Sequence, residues 1–148
     1  MSFQSDCDAV PELVGASKRG LRALNAQDAP HVSKGRGTRL TTSVDIDTAL
    51  TESQPNAARW DYGVGQRNGN QVAVHWIEVH PASGANSIAQ MKNKLIWLRA
   101  WLHGKSLAGY ERQVVWVASG NCAFNARDPS LKALSQLGLR FVGSHYAI

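Results

Sequence analysis

The chain has 148 residues, 43% hydrophobic and 18% charged, a balance that excludes a disordered polymer and leads us to expect one compact domain over 1–148. Sixteen Lys and Arg against eleven Asp and Glu leave a formal charge of +5 and a sequence pI near 9.6, which points to an anionic partner, nucleic acid first. Cys7 and Cys122 form no disulfide framework, no stretch approaches the ~20 apolar residues of a membrane span, and MSFQSDCDAV lacks signal-peptide regions; a cytoplasmic protein without a membrane segment is expected.

The first element expected is a helix over residues 10–27, with Leu13, Val14, Leu21 and Leu24 apolar, Asp8 as cap and Pro11 in the first turn. Gly15 and Gly20 weigh against it, each costing up to ~1 kcal/mol in a helix interior. Residues 29–39, APHVSKGRGTR, form a basic Gly-rich loop whose Lys34, Arg36 and Arg39 either approach a phosphate backbone or are simply solvated. Alternation of Thr42, Val44 and Ile46 with Ser43, Asp45 and Asp47 predicts a strand over 40–48.

Two β-rich runs follow, 60–65 and 71–80, joined across Asn68-Gly69, a strong hairpin signal because a type I′ turn needs positive φ at both central residues. With those two residues as the loop, Arg67 faces Asn70, Asp61 faces Trp76 and Arg59 faces Glu78. Asp61, Glu78 and His80 then project from one face, with Asp61 diagonal to Glu78 at roughly 7–8 Å between backbones. Two carboxylates so placed can hold one divalent cation. A slip of one residue would send Asp61 to the other face.

Ser87 and Gln90 give a capping-box signature, and Ile88, Met91, Leu95, Leu98 and Leu102 make an apolar stripe, so a helix is expected over 87–103 with Gly104 as its stop. The run QVVWVA at 113–118 predicts a strand buried on both faces. Asp128-Pro129 opens a short helix through 137, and 139–143 reads as a last strand. The order α-β-β-β-α-β-α-β implies a mixed α/β fold, a central mixed sheet flanked by helices.

Hydrolysis of a phosphodiester needs the phosphate charge neutralised and a water made nucleophilic; a divalent cation on carboxylates does both, and a nearby basic group assists. Mg²⁺ keeps several waters, so two carboxylates suffice. With Asp61 after Trp60 and Glu78-Val79-His80 on the next strand, followed by a helix and a buried strand, the chain resembles the PD-(D/E)xK nuclease superfamily, the restriction-endonuclease-like fold, over roughly residues 10–143. The resemblance implies a Mg²⁺- or Mn²⁺-dependent nuclease acting on DNA. It assigns Asp61 and Glu78 as metal ligands, with the Val79 carbonyl as a further one. His80 stands where the family has Lys, and Lys92 or Lys94 on the next helix could supply the basic group instead. Gln90 and Lys94, four apart, share a face and resemble the helix-borne Gln motif of exonuclease-type members, with Lys94 at the usual Tyr position. A small nuclease that cuts duplex DNA often pairs its sites, so a homodimer is the oligomer considered.

Each assignment has a plainer alternative. Asp61 could be a strand-end residue, Glu78 could pair with Arg59, His80 could be a surface residue before Pro81, and Lys92 and Lys94 could be a solvated helix face. His75 falls on the opposite face and is expected to be structural, so a zinc site from His75, Glu78 and His80 is disfavoured. Trp97 and Trp101 are expected in the core or at a dimer contact, and Cys122 lacks the partners of a hydrolase nucleophile. The alternative function is a non-catalytic module of the same fold that binds nucleic acid or a protein partner.

Overall fold

The structure, a computed structural model, describes residues 2–125 and 127–148. Its elements are α1 (Phe3–Asp8), β1 (Lys18–Arg19), β2 (Val32–Ser33), β3 (Arg39–Asp45), α2 (Ile46–Ala49), β4 (Tyr62–Asn68), β5 (Gln71–His80), α3 (Ala85–Leu102), β6 (Glu111–Ala118), α4 (Pro129–Gln136), β7 (Arg140–Phe141) and β8 (Tyr146–Ala147). Among the described residues, six strands form one sheet in the order β1-β3-β4-β5-β6-β7, antiparallel from β1 to β5 and parallel from β5 to β7. The fold is mixed α/β around a central mixed sheet. β2 and β8 pair in parallel as a separate ribbon.

The observed order has more elements than expected, and the N-terminal part differs most. No α-helix runs over 10–27; a single 3₁₀ turn at Pro11–Leu13 keeps Pro11 in its first turn. The helix is α1, capped by a reciprocal box in which Ser2 Oγ accepts from the Ser5 amide and Ser5 Oγ accepts from the Ser2 amide. Asp8 is not a cap but the last residue of α1, and its Oδ1 accepts from the Gly15 amide at 3.3 Å. Gly15 and Gly20 sit at φ 74° and 60°, the left-handed region, so the chain turns at both and lays β1 against β3. β3 ends at Asp45, whose side chain caps the short α2 through the Thr48 amide.

The hairpin register also differs. Asn68 pairs with Gln71, so the loop is Gly69-Asn70, and Gly69 alone takes positive φ, 61°. Gly at the first loop position is the pattern of a type II′ turn rather than I′. Each strand is displaced by one residue from the expected pairing. Those two single-residue steps sum to an even shift, so every side chain keeps its expected face while its opposite partner changes.

Alternation along the strands splits the core into two layers. Val74, Trp76 and Trp116 face α1, α3 and α4, where Phe3, Met91, Leu95, Leu98 and Leu134 meet them. Ile77, Val79, Val115 and Val117 face Leu24, Val32 and Tyr146 on the other side. Trp60, Trp76 and Trp116 are wholly buried, each removing an aromatic surface worth ~1.5–3 kcal/mol or more from water. Gly63 makes room for the second of them, because a Cβ there would come within 2.6 Å of the Trp76 ring. Trp97 and Trp101 stack with centroids 5.7 Å apart, and Trp101 meets Trp76 edge-on, so this pair joins the core. α3 begins two residues before Ser87, which is buried inside it with Oγ accepting from the Ser83 amide; the expected capping box with Gln90 is not formed.

His75 lies on the second face as expected, 2.7 Å from Tyr146 Oη through Nδ1 and 2.7 Å from Gln66 Oε1 through Nε2. Gln Oε1 only accepts, so Nε2 carries a proton, and in the neutral ring Nδ1 accepts from the Tyr146 hydroxyl. Burial, helped by Arg140, pushes its pKa down to about 4. A His depressed in the fold is protonated first in the unfolded chain, so its stabilisation is present above pH ~6.5 and lost as pH falls toward 4. Urea unfolding is expected to show a wild-type advantage over His75→Gln that shrinks across that window by about 3 kcal/mol. An advantage independent of pH would contradict a neutral, buried His75.

Candidate functional site

The even register shift sharpens the acidic pair. Asp61 lies one step beyond the Tyr62–Ile77 pair, and so directly opposite Glu78 rather than diagonal to it. The two strands exchange bonds here: the Asp61 amide donates to Glu78 Oε1 at 3.0 Å, and the Val79 amide donates to Asp61 Oδ2 at 3.0 Å. Each carboxylate is therefore oriented by the backbone of the other's strand. A strand residue's carbonyl leaves on the same side as its N–H, so the Val79 carbonyl is directed toward β4 as well.

α3 delivers the remaining groups. Lys94 Nζ donates to Glu78 Oε2 at 3.0 Å and to the Arg59 carbonyl at 2.9 Å. One turn earlier, Gln90 Oε1 lies 2.7 Å from His80 Nε2. That oxygen accepts, so the His80 proton is on Nε2 and Nδ1 is the basic nitrogen, 3.7 Å from Glu78 Oε2. His80 is fixed from behind as well: its carbonyl accepts from Trp116 Nε1 at 2.9 Å and from the Ser119 amide at 3.2 Å. Asp61, Glu78, His80, Gln90 and Lys94 thus meet at one end of β5.

Arg59 does not pair with Glu78. Its Nε donates to Asp47 Oδ1 at 2.9 Å and its Nη1 to the Gln54 carbonyl at 2.6 Å, because α2 carries Asp47 to the end of β4. The alternative ion pair of Glu78 with Arg59 is not formed; Lys94 pairs with Glu78 instead. Among the cations expected to contact nucleic acid, Lys92 is exposed on α3, two residues before Lys94. Lys34, Arg36 and Arg39 are exposed, but the Gly35 amide is tied to the Ile148 carbonyl, and Arg39 stands opposite Arg67 at the hairpin end of β4. From 61 to 67 along a strand is roughly 20 Å at ~3.4 Å per residue, so Arg39 is remote from the acidic pair.

The electrostatics follow from burial. Glu78 is 1% exposed; desolvation, then the facing Asp61, hold its carboxyl well above the ordinary range, with Lys94 opposing. Burial likewise lifts Asp61 to about 7 against the Val79 amide and Lys94. His80 is lowered by burial and by Lys94, with its bond to Gln90 acting the other way. Two facing, desolvated carboxylates share one ammonium, a charge deficit that a divalent cation would satisfy. Hard oxygen donors fit Mg²⁺ or Mn²⁺. Among the described residues no group of three or more His, Cys, Asp and Glu side chains is arranged to hold a metal, so a site here would be the carboxylate pair completed by water and carbonyl oxygen.

Lys94 reaching Glu78 is traceable in the sequence through its i,i+4 spacing with Gln90. The role of Trp116 is not, because it depends on β6 lying parallel to β5 with Trp116 beside Glu78. The chain gives no match to a family model, a curated protein or a solved structure.

Proposed function

We propose that this is a Mg²⁺- or Mn²⁺-dependent, nuclease-type hydrolase of DNA phosphodiester bonds, built on a restriction-endonuclease-like core. The observation that carries this reading is the meeting of Asp61, Glu78 and an ammonium, with Lys94 Nζ 3.0 Å from Glu78 Oε2. The strand position that the resemblance reserves for Lys holds His80, and α3 supplies the missing cation to the same carboxylate. Asp61 and Glu78, with the Val79 carbonyl, would hold the metal. Bound there, the cation would neutralise the scissile phosphate and acidify a water. Lys94 Nζ is placed to orient that water and offset developing charge. His80, kept neutral by burial with Nδ1 basic, is placed to accept a proton at that atom.

The test is incubation of the protein with single-stranded and duplex DNA in Mg²⁺ or Mn²⁺, beside Asp61→Asn. Cleavage is expected for the wild type, with at least a 100-fold loss in Asp61→Asn at unchanged circular dichroism. No cleavage of any DNA form with either metal removes the enzymatic reading. One observation favours the non-catalytic module: both Glu78 oxygens already accept hydrogen bonds from protein donors. DNA binding with a steep salt dependence and no cleavage would select that module.

A further inference from the structure

The face that carries Glu78 continues sideways into a cleft. Glu78 is in register with Trp116 on β6, and Trp116 with Phe141 on β7, so the three side chains form one row across parallel strands. At ~4.8 Å per strand, Phe141 lies about 10 Å from Glu78 at the backbone. Trp116 forms the buried wall between them, with Phe141 edge-on at 4.8 Å and Phe124 at 5.8 Å. Beyond that wall is a cavity of about 800 Å³ between α4, β7 and the loop after β6.

The lining has two characters. Phe124 and Phe141 are half-buried and give an aromatic side. Arg127 and Lys132 are exposed at the opening, Arg140 stands at the rim with its guanidinium 5.8 Å over the Tyr146 ring, and no Asp or Glu is among the described lining residues. Phe124 and Phe141 meet edge to face, centroids 6.2 Å apart at 81°, so one ring offers its face and the other closes the corner beside it. Such an aromatic corner beside exposed cations suits a nucleobase whose flanking phosphates meet the cations. A base inside a duplex cannot present its face to a wall, whereas an unpaired base can; aromatic platforms with flanking cations are how single strands are held.

We propose that this cleft is a nucleic-acid subsite that selects a single strand, placing one base against Phe124 and Phe141 and its phosphates on Arg127 and Lys132. The 10 Å offset corresponds to roughly three stacked nucleotides from the bond at Glu78. Only that alignment rests on the hydrolase reading; strand binding does not. Site pairing in a homodimer is then unnecessary, because one strand passes one site.

Cys122 supplies the readout. It is exposed and lines the cleft, whereas Cys7 is fully buried with its thiol pushed up to about 12 by burial. Iodoacetamide labelling of Cys122 would be timed in EDTA, which blocks cleavage, with a 12-nucleotide single strand or its duplex, and binding followed by fluorescence anisotropy. The single strand is expected to slow labelling at least fivefold and the duplex less than twofold. Arg127→Gln/Lys132→Gln is expected to lose protection and to flatten the slope of log K against log salt by about 1.4, two single-strand contacts. Lys18→Gln/Arg19→Gln, exposed on β1 at the opposite margin of the sheet and carrying the same change in net charge, is expected to keep both. Equal protection by duplex, unprotected Cys122 while the strand is bound, no binding of the strand, or loss in the two double variants alike would each overturn the subsite. Cleavage without protection leaves the hydrolase standing; protection without cleavage leaves the subsite standing.

Discussion

Lys94→Met is expected to destabilise the protein in a pH-dependent way and, on the proposed hydrolase reading, to lower DNA cleavage by about 10²–10³-fold, the usual effect of losing one charged donor at a reacting phosphate. The first effect isolates the electrostatics. Without the ammonium, Glu78 keeps its burial and the facing Asp61 but loses its main offset, so its carboxyl rises further. An acid whose folded pKa exceeds its unfolded value holds a proton that the unfolded chain has released. Stability therefore falls as pH rises upward from the ordinary glutamate range of ~4.3. Protonation limits the damage at low pH, and the full cost of an unpaired buried carboxylate, ~3–5 kcal/mol, is approached only above the raised pKa. Urea unfolding of wild type and variant at pH 5 and pH 8 should show a small gap at the first and a large one at the second. A gap of equal size at both would mean that Lys94 acts through its packing and its bond to the Arg59 carbonyl alone.

Trp116→Ala is expected to cost ~3–5 kcal/mol, with a fall in Tm on the order of 10 °C, because it empties a fully buried site between Glu78 and the Phe124–Phe141 pair. Trp116→Phe keeps most of the volume and deletes only the indole N–H that holds the His80 carbonyl, a loss of about 1 kcal/mol. The pair of variants separates packing from the hydrogen bond. If Phe costs as much as Ala, the bond to His80 dominates and the cavity argument fails.

Side-chain face was legible in the sequence where absolute register was not. The alternation in QVAVHWIEVH placed Glu78 and His80 on the side of Trp76, and the even error in the hairpin left Asp61 with them. Turn type decided the rest: Asn68-Gly69 and Gly69-Asn70 are both credible loops, and in the fold Gly69 is the hairpin loop's single residue at positive φ. The 10–27 region misled because Leu13, Leu21 and Leu24 do bury surface or approach it, but from separate turns on two faces of the sheet rather than along one helix. The N-terminal cap was written in Ser2 and Ser5, a pairing with Ser in place of the usual Glu or Gln. Strand opposition offers Arg59 as an alternative partner for Glu78, an argument blind to α2 and its Asp47. Long-range parallel contacts such as Trp116 beside Glu78 leave no local signature at all.

The two outermost strands of the six-stranded sheet are each two residues long, Lys18–Arg19 and Arg140–Phe141. An incoming strand finds few unpaired amides at either margin and meets positive charge at both, the combination that discourages edge-to-edge polymerisation. Sheet extension at the two terminal strands is thereby disfavoured. Crowding of the protein at high concentration is expected to leave its β content unchanged, as circular dichroism would read.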